Sequence, residues 1–233
     1  NRYWMLNRQT PITDRNRYEF GGSIKWNITP DLNIQGRMRY ERGQEHWVHN
    51  AYASSVGNLY PMGRMKDNRY FSDQLYGDVL VSYNHTFNDF SLSATAGSSF
   101  TKTKTSHVDL WGEGSQFSQP GSGNIFYPNI FTPNNYYGNM STVGKDDNWM
   151  TQKRLNSVFA TAQLGYREGI FLDISARNDW SSTLANTESM KNGFFYPSVG
   201  LTWIMSNSIK LPEWINFSKF RGSFAQVGND LPI

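Results

Sequence analysis

The residues able to do chemistry fall into two groups. The first is charged. Arg37 and Arg39 lie two positions apart, as do Arg177 and Asp179, with Asp173 on the same parity. In an extended strand, residues two apart project from one face, so each set lines a single wet surface and reads as a charge network there. The second group is aromatic. Segment 105–150 holds Trp111, Phe117, Phe126, Tyr127, Phe131, Tyr136, Tyr137 and Trp149 amid Gly, Asn and Ser. Ring faces beside amide and hydroxyl partners offer stacking and hydrogen bonding together, which suits a sugar or a peptide. Trp111, Tyr127, Tyr136, Tyr137 and Trp149 are the candidate binding residues. The competing reading is that these rings pack the loop onto its neighbours.

Other motifs carry less. His46 and His49 flank Trp47 and Val48 without a carboxylate at helical spacing, so loop polarity is a better reading than a metal site. Asp146, Asp147 and Asn148 supply oxygens of the kind Ca²⁺ takes, but a solvated turn explains them. Gly112-Glu113-Gly114 and Gly121-Ser122-Gly123 lack the strand–loop–helix setting of a phosphate-binding loop. No catalytic set emerges. The expectation is a protein that is not an enzyme and needs no cofactor or metal.

Composition narrows the class. The chain has 233 residues, 18% charged and 15% aromatic, with no cysteine. A typical domain is about 25% charged, yet the mean hydropathy is still −0.61. No apolar run approaches the roughly 18 residues of a transmembrane helix. A cysteine scaffold is excluded, and a net charge of +3 without a basic cluster gives no reason to expect nucleic acid. The start, Asn1-Arg2-Tyr3-Trp4, has neither an initiator Met nor a signal-peptide pattern, so the chain is expected to begin inside a larger protein.

The elements that must hold the two groups show a period of two. Tyr18, Phe20, Gly22, Ile24, Trp26 and Ile28 alternate with Arg17, Glu19, Gly21, Ser23, Lys25 and Asn27. After Thr29-Pro30-Asp31, Leu32, Ile34, Gly36, Met38 and Tyr40 continue the pattern. Similar pairs turn at Asn88-Asp89, at Arg167-Glu168-Gly169 and through Leu211-Pro212-Glu213-Trp214. The reading is all-β: antiparallel strands over about 15–28, 32–42, 74–87, 90–104, 152–167, 170–180, 194–205 and 218–227, with long loops at 43–73, 105–150 and 181–193. Strands of this length suit a bilayer-crossing strand of about 9–11 residues. Short turns at one end, long loops at the other and aromatics near strand ends fit an outer-membrane barrel. A soluble sandwich also alternates, but it would have to bury Arg37, Arg39, Asp173 and Arg177 or the apolar face opposite them. Both chain ends lie on the long-loop side, which favours a contiguous section of a larger barrel over a small closed one.

Several stretches carry a family resemblance: 154–160 (RLNSVFA), Gly165-Tyr166, 172–182 (LDISARNDWSS), 195–200 (FYPSVG) and 219–230 (KFRGSFAQVGND). They resemble the SusC/RagA-type TonB-dependent transporters of Bacteroidetes outer membranes. The wording is most specific over about 153–230. The resemblance implies a plugged barrel of about 22 strands, of which 1–233 would be one section without the plug domain. It also implies import of glycans or peptides, a SusD-like surface lipoprotein partner, and energy from the TonB complex through the parent's N-terminal region. Outer-membrane lipid and an oligosaccharide or peptide substrate are the other expected partners. An autonomous small barrel or a soluble adhesive domain is the alternative.

Overall fold

The structure is a computed structural model that describes residues 7–53, 62–113, 127–138, 143–144, 148–184, 193–212 and 214–228. Among these described residues nine strands follow in chain order: β1 (Gln9–Asn27), β2 (Leu32–Ala51), β3 (Arg64–Phe87), β4 (Phe90–Glu113), β5 (Val143–Gly144), β6 (Trp149–Tyr166), β7 (Ile170–Ser181), β8 (Phe194–Ile204) and β9 (Lys219–Ala225). Among the described residues, the short helices α1 (Pro133–Gly138) and α2 (Met205–Ser208) lie in connections. The sheet order is β1-β2-β3-β4-β6-β7-β8-β9, an open path with the two-residue β5 paired to β4. Every long strand therefore neighbours the next long strand in sequence.

Several strands run further than the alternation indicates. β2 continues to Ala51, β3 starts at Arg64 and β4 reaches Glu113, so parts of the expected loops 43–73 and 105–150 are strand. A bilayer needs only about 9–11 residues per strand. Beyond that both faces meet water, so backbone pairing persists while the apolar–polar contrast disappears.

The chain divides into two compact units: Asn1–Tyr18, Glu41–Asp73 and Lys104–Thr151, and then Glu19–Tyr40, Gln74–Thr103 and Gln152–Ile233. The second unit is polar where it is sheltered and apolar where it is exposed. Asp78 is 5% exposed, and Ser99, Ser157 and Thr202 are buried, while Ile24 is 79% exposed and Phe20, Trp26, Val79, Val158, Phe195 and Phe224 are all exposed. Register keeps the faces sorted. Leu172 opposes Leu201 and Ile174 opposes Val199, whereas Ser175 opposes Ser198 and Arg177 opposes Tyr196.

Its short turns are fastened sideways. The Thr29 hydroxyl accepts from Leu32 N at 3.0 Å, closing the β1–β2 turn. Asp31 then reaches β3: its carbonyl accepts from Asn84 N at 2.8 Å and its carboxylate lies 2.8 Å from His85 Nδ1. At the β3–β4 turn Asn88 has φ +51°, a conformation Asn tolerates better than most residues. Asp89 beside it accepts from Arg167 through both backbone (2.8 Å) and side chain (Nε, 3.0 Å). Gly169 in turn accepts from Ile204 N at 2.6 Å.

The first unit has an ordinary apolar core. Tyr136 is fully buried beside Met65, with Met62 and Phe131 packed on them. Asn135 ties the segment before α1 into a coil: its amide donates to the carbonyls of Tyr127 and Ile130, each at 2.7 Å, and its oxygen accepts from Tyr127 N. Gly63 has φ +88°, and a Cβ there would come within 2.6 Å of the Tyr136 hydroxyl.

Candidate functional site

Besides those turn pairs, the charged residues singled out in the second unit fall into three hydrogen-bonded groups. Arg37 on β2 grips Asp78 on β3 through two nitrogens, Nε to Oδ1 at 2.9 Å and Nη2 to Oδ2 at 2.7 Å. Such bidentate pairs fix geometry as well as charge. The Tyr76 hydroxyl also donates to Asp78. Arg39 lies 3.7 Å from Glu19 and over the Tyr76 ring. In the second group Arg177 donates from Nε to Asp179 at 2.7 Å and from Nη2 to the Ser157 hydroxyl at 2.9 Å, with the Phe159 ring beneath it. Asp173 stands apart from both and accepts from Gln163 at 2.6 Å, its cross-strand partner. Asp78, Tyr76 and Ser157 are members the sequence reading did not single out. Their parity on the polar face of β3 and β6 was the available signal.

A recess of about 360 Å³ is lined by Arg177, Asp179, Ser181, Phe194 and Tyr196 among others. It offers a paired guanidinium and carboxylate beside two stacked rings. A guanidinium, a carboxylate and ring faces in one recess are able to hydrogen-bond and stack against a polar molecule.

The aromatic candidates separate. Trp149 at the start of β6 is 40% exposed, and its ring centroid lies 6.4 Å from that of Tyr70 and 5.8 Å from that of His107. Trp111 on β4 lies under the Arg64 guanidinium at 4.9 Å, a stabilising cation–π geometry. Lys66 pairs with the buried Asp109 at 3.0 Å. Tyr127 is exposed. Tyr136 is corrected: its ring is the centre of the loop core and is closed to any ligand, and burial pushes its phenol pKa up. The side chain of Tyr137 lies outside the described residues. Tyr70, His107 and Arg64 were not foreseen, because the strand ends carrying them read as loop.

His46 and His49 do not converge. Both stand on β2, where residues three apart project to opposite faces. His46 lies 3.1 Å from Asp67 and His49 packs beside Trp47. Burial first, then Arg64 and Lys66, hold the His49 pKa below its ordinary value. Among the described residues no three His, Asp or Glu side chains are grouped to hold a metal. Gly114, Gly121–Gly123, Asp146 and Asp147 lie outside the described residues.

The comparisons with known proteins agree with this geometry. The family model described as TonB dependent receptor-like, beta-barrel matches residues 1–230. The fold is similar to the RagAB peptide importer in its open-open state, with a TM-score of 0.75 and 13% identity over 96% of this chain and 23% of that one. It is also similar to the closed-closed state of that importer, with a TM-score of 0.77 and 13% identity over 98% of this chain and 24% of that one. The chain thus spans about a quarter of the length of these neighbours. None of the curated proteins compared matches it. The apolar exposed face now has its solvent, the hydrocarbon of the outer membrane, and the soluble alternative falls. The family is one of receptors and transporters rather than of enzymes. A period-two pattern, an open sheet whose sheltered face is polar, and a match over nearly the whole chain give one conclusion: this chain belongs to the TonB-dependent receptor-like β-barrel family and is a section of such a barrel.

Proposed function

We propose that the chain forms part of the wall of a TonB-driven importer that takes up peptides or oligosaccharides with a SusD-like surface lipoprotein. One observation carries this reading: the sheet turns paired charges, Arg37–Asp78 and Arg177–Asp179, to its sheltered face. Such a face is the wall of a wet lumen and gives a polar solute a path. In this reading Trp111, Tyr127 and Trp149 contact the arriving substrate, with Tyr70 and His107 flanking Trp149. Tyr137 belongs to the same segment. Arg37, Arg39, Asp173, Arg177 and Asp179 line the passage. The plug and the TonB contact belong to the parent protein.

The test is uptake by cells that depend on the full-length parent protein. Trp149→Ala together with Tyr70→Ala is expected to weaken substrate binding by about tenfold or more, as loss of aromatic anchors does elsewhere, while leaving the amount of inserted protein unchanged. Deleting the parent gene without any loss of growth on peptides or glycans would overturn the proposal. So would failure of a surface lipoprotein to copurify.

A further inference from the structure

Register sets a charged pair against a ring pair in the recess between β7 and β8. Arg177, Asp179 and Ser181 stand two apart on the sheltered face of β7. Arg177 lies opposite Tyr196 and Asp179 opposite Phe194. The two rings are 6.4 Å apart between centroids, with planes 17° from parallel. Leu155, Val227 and Gly228 complete the lining. A Cβ at Gly228 would stand 3.1 Å from the Tyr196 ring, so bare backbone walls that side.

The recess lies at the outer end of the sheet. β7 starts beside the short turn at Arg167-Glu168-Gly169, and its far end at Ser181 carries the long connection to Phe194. Long connections of outer-membrane barrels are extracellular, so a solute entering from outside meets this recess early.

Its two charges already satisfy each other. Arg177 donates to Asp179 at 2.7 Å and to the Ser157 hydroxyl at 2.9 Å. Among the described residues no other charged side chain lines the recess, and the Asp179 side chain is only 14% exposed. A peptide ammonium or carboxylate would have to part this pair, and stranding one sheltered member is costly. A sugar hydroxyl leaves the pair closed. A guanidinium carries five N–H donors and a carboxylate accepts at both oxygens, so a vicinal diol accepts from one residue and donates to the other. The C–H bonds on the face of a pyranose ring then lie against Phe194 and Tyr196.

Resting on the importer reading, we infer that this recess is a subsite for a neutral sugar residue of an oligosaccharide. Arg177 and Asp179 hold its hydroxyls, and Phe194 and Tyr196 hold its ring. The volume of about 360 Å³ falls within the roughly 300–1,000 Å³ of small-ligand sites.

The experiment uses the full-length parent protein, purified from outer membranes in mild detergent and carrying a fluorescent label. It is laid over an array of neutral oligosaccharides, uronic-acid oligosaccharides and tryptic peptides of casein, and the best-bound probe is titrated by calorimetry. The expected result is retention by neutral oligosaccharides, with Tyr196→Ala and Asp179→Asn each weakening that affinity by about tenfold. Ser198→Ala, on the same face of β8, leaves it unchanged. Heat-modifiable gel mobility checks that each variant has inserted. Asp179→Asn keeps the shape of its side chain and carries the test should Tyr196→Ala fail to insert. A parent that retains only casein peptides, or only uronic-acid oligosaccharides, overturns the neutral-sugar assignment while the importer reading stands. Neutral oligosaccharides held equally by the wild type and both variants put the sugar elsewhere and overturn the recess as its site. Retention of no probe also overturns the assignment; the importer reading falls with it only when loss of the parent gene leaves growth unchanged.

Discussion

The two units bury different things. In the second, Asp78, Ser157 and Thr202 are sheltered while Ile24, Trp26 and Phe224 are exposed; in the first, the apolar Met65 and Tyr136 are sheltered together with the polar Asp67, Asp109 and Asn135. The same physics operates in both. Apolar surface leaves water wherever it can, but on the outer face of the second unit there is no water to leave. Burial alone therefore does not identify a core, because the solvent on each side has to be named first.

That contrast can be broken at a single residue. In the first unit, Tyr136→Ala removes the centre of the loop core, and large aromatic truncations cost about 3–5 kcal/mol. The loss should be local, seen as faster hydrogen exchange and proteolysis over 127–138 with the barrel unfolding transition unmoved. In the second unit, Val79→Arg puts a charge on the lipid face, at a cost of about 2–4 kcal/mol near the bilayer midplane. Ser175→Arg, on the sheltered face of β7, should cost far less. Equal destabilisation of the two in detergent-to-urea unfolding would refute the assignment of faces. Asp78→Ala leaves Arg37 without its bidentate partner, and stranding a sheltered group costs about 1–3 kcal/mol, less here because Arg37 is partly exposed.

The smallest effect is a pH dependence. The folded pKa of His49 lies below the ordinary value of 6.5, so the unfolded chain takes up a proton more readily. The contribution of His49 is complete above about pH 6.5 and declines as pH falls through that value. His49→Gln should flatten the acid side of the pH profile of protection in the first unit and leave the second unit unchanged.

The same contrast explains what could be read without coordinates. Residues 17–28 alternate strictly because lipid and water lie on opposite sides of one strand, so β1 and its hairpin partner were plain. The stretch 43–51 lacks that contrast. His46 lies beside Asp67 and Trp47 beside the His49 ring there, and the strand shows no period. The charge pairs were half legible: Arg37 and Arg177 announced the wet face, but their partners Asp78 and Ser157 depend on cross-strand register, which no local pattern contains. Tyr136 looked like its neighbours in composition. Only the placement of Gly63 and Met65 against it separates a core ring from a binding one.

The sideways fastening of the short turns bears on how such a wall is built. A hairpin that joined the sheet two residues out of step would keep its lipid and water faces correctly assigned, since the period is two. It would, however, carry Asp31 away from His85, or Asp89 away from Arg167. Hydrophobic patterning cannot distinguish that slip from the correct alignment. The turns can, and so they act as a gauge against which each arriving hairpin is measured.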